Sequence, residues 1–135
     1  MIGTKEGLVR SWLIKASRDL LSARELADGE TSLLDTASYH CQQAAEKAIK
    51  GYLLYHDTRF EKSHDIELLI FQAVNIDPAF ADCVEAARLL TPLAVAYRYP
   101  GDFIEPEPEE FQEAYESAQT LYSFVVARLP EITHP

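Results

Sequence analysis

The chain is poor in cysteine and has no long apolar segment. Its 135 residues include two cysteines, Cys41 and Cys83, and both lie on apolar helical stripes. We therefore predict two reduced thiols in the core, with a disulfide or a metal pair as the alternatives. No apolar run reaches about 18 residues, and residues 1–10 lack the apolar core of a signal peptide. These absences favour a cytoplasmic protein that does not cross a membrane.

The motifs that mark many enzymes and metal sites are also missing. The sequence contains no glycine-rich phosphate loop, no His-Glu-x-x-His, no Cys-x-x-Cys and no Gly-x-Ser-x-Gly. Helical di-iron proteins place Glu-x-x-His pairs on two long helices, whereas Glu61 and His64 show this spacing in a predicted connection. We therefore expect neither a bound metal nor a cofactor.

Positive charge is scarce and unevenly placed. The net charge is −10, and residues 68–135 carry three Lys or Arg against eleven Asp or Glu, compared with nine against eleven in residues 1–67. Such a chain has no basic surface for general nucleic-acid binding. RNA is therefore a disfavoured ligand, and any contact with a nucleotide would have to be local.

Helical periodicity, in contrast, runs along almost the whole chain, and no strand pattern is convincing. A first helix is predicted over about 5–27, ended by Asp28 and by Gly29 in the left-handed conformation. Ser32 is a plausible N-cap for a second helix that runs to about His56.

Three further helices follow in the prediction. Ser63 or Asp65 can cap a short one, and Pro78 suits the first turn of the next, which Pro92 should kink or split near residues 89–91. Residues 106–110 resemble the start of a last helix. We predict one all-α domain over residues 1–135, an up-and-down bundle of four main helices plus one short helix.

The second helix carries the most ordered pattern in the sequence. Small and apolar residues recur at steps of three and four: Leu33, Ala37, Cys41, Ala44, Ala45, Ala48 and Tyr52. This stripe is typical of a buried helical face. The rest of the arc is polar and consists of Gln42, Gln43, Glu46, Lys47 and Lys50. Lys47 and Lys50 could hold a phosphate, whereas the alternative is a solvated face with Glu46 and Lys50 as an i,i+4 ion pair.

Two other positions are candidates for chemistry. His64 stands beside Asp65 at a helix start, where a carboxylate could orient its imidazole, although a simple capping role for residues 63–65 is the alternative. His40 abuts the buried stripe and is interpreted as a packed or partly exposed structural residue. Arg98 lies between Tyr97 and Tyr99, so its guanidinium could clamp a phosphate while a ring stacks on a base.

Taken together, these segments resemble the HEPN domain family of small helical proteins. The matching residues are Trp12, Ala16, Asp19, Leu20 and Ala23, then residues 42–50, then His64, Asp65, Ile66 and Leu69, and finally residues 97–100. The resemblance implies a helical bundle, often a homodimer. It also implies a genomic companion, a minimal nucleotidyltransferase, in a toxin–antitoxin or nucleotide-handling pair.

Many members of that family are metal-independent ribonucleases that use an arginine followed four to six residues later by a histidine. No histidine follows Arg98 in that window, and Arg59 with His64 lies in a connection, where we interpret the spacing as a chance match. An ion pair of Arg98 with Asp102 is the alternative to a phosphate clamp.

The leading hypothesis is therefore a nucleotide-binding or interaction module without enzymatic activity, which forms a homodimer and pairs with a nucleotidyltransferase. Its nucleotide site would use Lys47, Lys50, Arg98, Tyr97 or Tyr99, and secondarily His64. A divergent ribonuclease that uses His64 with Arg98 or Arg59 is the second hypothesis. The third is a ligand-free assembly partner whose acidic last helix meets a basic surface.

Overall fold

The computed structural model describes residues 4–60, 62–97 and 105–135, and within them every regular element is helical. Five α-helices form the fold: α1 (Lys5–Asp28), α2 (Leu34–Tyr55), α3 (Ile66–Val74), α4 (Val84–Leu90) and α5 (Pro108–Ala127). Short 3₁₀ turns cover Pro78–Cys83, Thr91–Ala94 and Glu131–Thr133. The predicted all-α class is confirmed. None of these helices is long and apolar enough to cross a membrane.

Helix α2 is the centre of the bundle. It packs along α1 and also against α5 and α3, so its small residues are covered on several sides. Ala37, Cys41, Ala44, Ala45 and Ala48 are all fully buried, as the stripe predicted. Its first predicted member, Leu33, is instead 39% exposed, because it precedes the helix.

The α1–α2 contact is close at Gly51. A Cβ added at Gly51 would lie 3.3 Å from the Cβ of Trp12, which is tighter than ordinary van der Waals contact. Gly51 therefore has a packing role, and it brings the backbone of α2 next to α1. This close approach places polar side chains of the two helices within reach of each other.

Several helix ends differ from the sequence prediction. Gly29 has φ −66° and ψ 168°, so α1 ends in extended backbone and not in the left-handed conformation. Ser32 does not cap α2, because its hydroxyl donates to the carbonyl of Ala27, and Leu33 occupies the cap position. Asp65, as predicted, accepts a hydrogen bond from the Leu68 amide at the start of α3.

The predicted fourth helix is a run of three segments. Pro78 begins a 3₁₀ turn that Asp77 caps, α4 follows, and a second 3₁₀ turn begins at Thr91 next to Pro92. The split falls in the predicted place, since proline cannot donate the hydrogen bond that would continue an α-helix. Helix α5 begins at Pro108 with a capping box between Glu107 and Glu110.

Candidate functional site

The polar row of α2 that consists of Gln42, Glu46 and Lys50 is buried, which contradicts a solvated face, whereas Gln43 and Lys47 beside it are partly exposed. Gln42 is 0% exposed, Glu46 4% and Lys50 7%. The expected i,i+4 ion pair does exist, since Lys50 Nζ lies 2.9 Å from Glu46 Oε2. Charged groups are rarely buried unless they are paired and hydrogen-bonded, so this row has to satisfy its own polar atoms.

Glu46 organises these buried groups into what we call the Glu46 cluster, which consists of Gln42, Glu46, Lys50 and His64. One oxygen, Oε1, accepts from Gln42 Nε2 at 3.0 Å and from His64 Nδ1 at 2.8 Å. The other, Oε2, accepts from Lys50. Gln42 Nε2 also donates to the backbone carbonyl of His64 at 3.0 Å, which fixes the loop against α2.

The hydrogen bonds keep Glu46 ionised. Burial alone would raise the pKa of its carboxyl, but the bonds from Gln42, Lys50 and His64 outweigh burial and lower the pKa below its usual value. An ionised carboxylate can only accept, so Nδ1 of His64 carries a hydrogen. The other ring nitrogen, Nε2, is then the acceptor of the neutral ring. The His64 side chain is 66% exposed.

The carboxylate that contacts His64 is not the one that the sequence suggested. Asp65, the expected partner, caps α3 instead, and Ser63 accepts from the Asp65 amide. The orienting carboxylate is Glu46, which lies 18 residues earlier in the chain. A pairing of this kind depends on how the loop folds back over α2, and adjacency in sequence does not reveal it.

A second set of groups, the Asp19 cluster, joins α1 to α2 and consists of Asp19, His40 and Lys47. Asp19 Oδ1 lies 2.8 Å from His40 Nδ1, and Asp19 Oδ2 lies 2.6 Å from Lys47 Nζ. The carboxylate is only 10% exposed, whereas the histidine and lysine are 29% and 26% exposed. His40 is thus partly exposed, as predicted, but it is also part of an ion-pair network.

An open cavity of about 370 Å³ adjoins the Asp19 cluster. We call it the Tyr97 cavity, and its walls are Asp35, Thr36, Tyr39, His40, Ala96 and Tyr97. Tyr97 has φ 67°, a left-handed conformation that is costly for a residue with a large side chain. Burial and the negative charge of Glu110 raise the pKa of its phenol. Strained residues of this kind are concentrated at binding sites.

The structure divides the residues that the sequence proposed for one nucleotide site. Lys47 belongs to the Asp19 cluster, next to the Tyr97 cavity, whereas Lys50 and His64 belong to the Glu46 cluster. Arg98 and Tyr99 lie outside the described residues. Lys50 is 9% exposed and paired with Glu46, so it supports the cluster and does not present its charge to solvent.

Arg59 has an exposed side chain on the wall of another cavity, of about 470 Å³, next to Phe60 and Ser63. Its backbone carbonyl accepts from Gln72, which anchors the loop that carries both Arg59 and His64. Asp19 and Gln42 had no assigned role in the sequence prediction. For Gln42 the sequence did contain a signal, since it lies four residues before Glu46, as Glu46 lies four residues before Lys50.

Neither cysteine is part of these clusters. Burial raises the pKa of Cys41 to about 12 and that of Cys83 to about 11, and both thiols are free, as predicted. In the part of the chain that the structure describes, no three residues among His, Cys, Asp and Glu are grouped so that they could hold a metal ion.

Comparison with known proteins gives one family and two similar structures. The model of the HEPN domain matches residues 9–129. The crystal structure of TT1696 from Thermus thermophilus is 30% identical, with a TM-score of 0.73, over 90% of this chain and 98% of that one. The crystal structure of ST0689, an archaeal HEPN homologue, is 28% identical, with a TM-score of 0.70, over 89% of this chain and 96% of that one. No curated protein matches.

Proposed function

The chain belongs to the HEPN domain family, and we propose that within it this protein is a nucleotide-binding interaction module. It forms a homodimer and pairs with a minimal nucleotidyltransferase in a toxin–antitoxin-like system. The observation that carries the nucleotide site is the Tyr97 cavity, which has aromatic rings on its walls and adjoins the Asp19 cluster through His40. The acidic excess of residues 68–135 supports a partner with a basic surface.

The base is proposed to lie in the Tyr97 cavity. Its volume of about 370 Å³ falls in the range of roughly 300–1,000 Å³ that small-molecule sites occupy. Tyr39, His40 and Tyr97 offer flat rings on its walls, and base stacking on an aromatic ring is worth about 1–3 kcal/mol.

The phosphates are proposed to lie outside the cavity, towards Lys47. Asp35 lines the cavity, and its carboxylate repels a phosphate, so the anionic end of a nucleotide is expected to face outwards. Lys47 is 26% exposed and reaches solvent more easily than Lys50. Arg98 follows Tyr97 directly in the chain and remains the clamp that the sequence predicts.

Isothermal titration calorimetry with ATP and GTP tests this site. Tyr97→Ala and the double variant Lys47→Gln with Arg98→Gln are expected to weaken binding at least about fivefold, since each removes a contact worth about 1 kcal/mol or more. Lys15→Gln on the exposed face of α1 and Tyr55→Ala near the end of α2 are the matched controls. Binding that is unchanged in the Tyr97 and Lys47 variants would overturn the site.

The proposed partner is tested separately. Light scattering of the purified chain should give the mass of a dimer, and co-expression with the nucleotidyltransferase encoded by an adjacent gene should yield a stable complex. Because the partner surface is proposed to be basic, the complex is expected to weaken as salt rises. A monomer, or a nucleotidyltransferase that does not co-purify at low salt, would contradict this part of the proposal.

A second candidate function, RNA cleavage, is favoured by one observation. Glu46 holds the exposed His64 in the tautomer that leaves Nε2 as the acceptor of the neutral ring, which is the form a general base requires. Arg59, on the same loop, is available to contact a phosphate. This function predicts RNA cleavage in the presence of a chelator and growth arrest on expression, both lost in His64→Ala. Purified dimer that leaves RNA intact would exclude it.

A further inference from the structure

The Tyr97 cavity presents hydrogen-bond acceptors to whatever it binds. Asp35 Oδ1 accepts from the backbone amide of Thr36 at 2.8 Å and from its hydroxyl at 3.5 Å. The second oxygen, Oδ2, accepts from no group in residues 4–60, 62–97 or 105–135. A carboxylate oxygen on the wall of a cavity therefore remains for a donor on the ligand.

His40 provides a second acceptor, and its contact with Asp19 determines which ring nitrogen holds the accepting lone pair. Asp19 forms an ion pair with Lys47, whose Nζ lies 2.6 Å from Asp19 Oδ2. An ionised carboxylate cannot donate, so the 2.8 Å contact to His40 Nδ1 requires a hydrogen on Nδ1. In the neutral ring, Nε2 then carries the lone pair. The lysine and the carboxylate together fix the tautomer of a histidine in the cavity wall.

The lone pair on Nε2 lies on the side of the ring that faces away from the Asp19 contact. The two nitrogens of an imidazole point in nearly opposite directions, and Nδ1 points towards Asp19, which is buried and does not line the cavity. His40 itself lines the cavity and is 29% exposed. Its Nε2 forms no hydrogen bond with the described residues, so this acceptor is open to a ligand.

From these two acceptors we infer that the Tyr97 cavity selects nucleobases that carry an amino group, such as adenine and cytosine, over their oxo counterparts. This inference rests on the proposed nucleotide-binding function. An amino group donates to His40 Nε2 or to Asp35. A carbonyl oxygen at the same position of the base would face a lone pair, and an acceptor that the base covers from water without giving it a donor is unfavourable.

Two pairs of nucleotides test the inference, because in each pair an oxo group with an N–H on the adjacent ring nitrogen replaces an amino group beside an acceptor nitrogen. AMP is compared with IMP, and CMP with UMP, by calorimetry at pH 8.5, where an imidazole is ordinarily neutral. We expect the amino member of each pair to bind about tenfold more tightly or better, which corresponds to one satisfied hydrogen bond against one unmatched acceptor.

Two variants test whether His40 and Asp35 cause this preference. His40→Phe keeps a flat ring but removes the acceptor, so the preference for AMP over IMP should fall below about threefold while AMP still binds. Asp35→Asn offers an amide donor as well as an acceptor and should weaken the preference too. His56→Phe, at the exposed C-terminal end of α2, is the matched control and should keep the wild-type ratio.

The outcomes separate the inference from the function on which it rests. If none of the four nucleotides binds, the proposed nucleotide site fails. If both members of each pair bind equally, or the oxo members bind better, the site stands and the inference is wrong. A preference that persists in both His40→Phe and Asp35→Asn also overturns it, because the selectivity then comes from other groups.

Discussion

The two clusters on α2 are built from the same parts but differ in which part reaches solvent. In each, an ionised carboxylate accepts from Nδ1 of a histidine at 2.8 Å and pairs with a lysine. In the Glu46 cluster the lysine is 9% exposed and the histidine 66%; in the Asp19 cluster the lysine is 26% exposed and the histidine 29%. The first buries its charges and exposes an imidazole, whereas the second leaves both the lysine and the histidine partly exposed.

Because of this difference in exposure, we expect the two clusters to have different roles. The buried pair of the Glu46 cluster resists rearrangement, because separating its charges would leave one of them unpaired in the core. It is a rigid support for a histidine in solvent. The Asp19 cluster lies at the edge of the Tyr97 cavity, where water can solvate its groups when a ligand is absent. Its charges can therefore take part in binding at a smaller cost in stability.

The largest expected effect that distinguishes the clusters is the loss of stability when each carboxylate is removed. Glu46→Gln leaves Lys50 buried without a counter-charge, and we expect a loss of about 3 kcal/mol in the free energy of unfolding. Asp19→Asn leaves Lys47 without a counter-charge, but this lysine reaches water, so a loss of about 1 kcal/mol is expected. Urea denaturation followed by circular dichroism measures both.

A double variant tests whether the cost comes from an unpaired charge. Glu46→Gln combined with Lys50→Met removes both charges of the buried pair, so part of the stability lost in Glu46→Gln should return. Equal losses in Glu46→Gln and Asp19→Asn would show that burial does not distinguish the clusters. A double variant less stable than Glu46→Gln alone would show that the lysine stabilises the fold through its packing.

A smaller effect is expected in the dependence of stability on pH. The pKa of Glu46 is lowered in the folded protein, so its contribution is present above the usual value of 4.5 and is lost as the pH falls through the folded value. The stability gap between the wild type and Glu46→Gln should therefore narrow as the pH falls below about 4.5. A gap that stays constant over this range would contradict a carboxylate that is ionised and stabilised by its donors.

Much of the fold could be predicted because its signals are local. The helical period of α1, the capping residue Asp65 and the prolines at 78, 92 and 108 act within a turn or two of their own position. The C-terminal end of α1 and the start of α2, near residues 28–33, were predicted less well. Gly29 can adopt left-handed backbone but is not forced to, and the hydroxyl of Ser32 bonds backwards to Ala27.

The candidate site was predicted only in part, because its contacts are not local. Polar residues on a helix are normally assigned to the solvent side, yet α2 is covered by several neighbours and its polar row satisfies itself in the core. The partnership of His40 with Asp19 spans 21 residues and depends on the α1–α2 register. Sequence spacing revealed the Glu46–Lys50 pair, since both residues lie on one helix.

The smallest expected effect is a difference in the chemical reactivity of the two oriented histidines. Diethyl pyrocarbonate acylates an unprotonated imidazole nitrogen, and both rings are expected to offer Nε2. His64 is more than twice as exposed as His40, at 66% against 29%, so we expect it to react several-fold faster near neutral pH. Mass spectrometry of peptides from a time course gives each rate, with the exposed His56 as an internal reference.

A nucleotide should widen this difference, because it would cover His40 and leave His64 open. If AMP occupies the Tyr97 cavity, acylation of His40 is expected to slow in proportion to occupancy while the rate at His64 stays constant. Protection of His64 alone would move the ligand to the Glu46 cluster and favour a phosphate site near Arg59. Equal protection of both histidines would indicate that the two clusters belong to one ligand site. The assignment of a supporting role to the Glu46 cluster and a ligand-binding role to the Asp19 cluster would then be wrong.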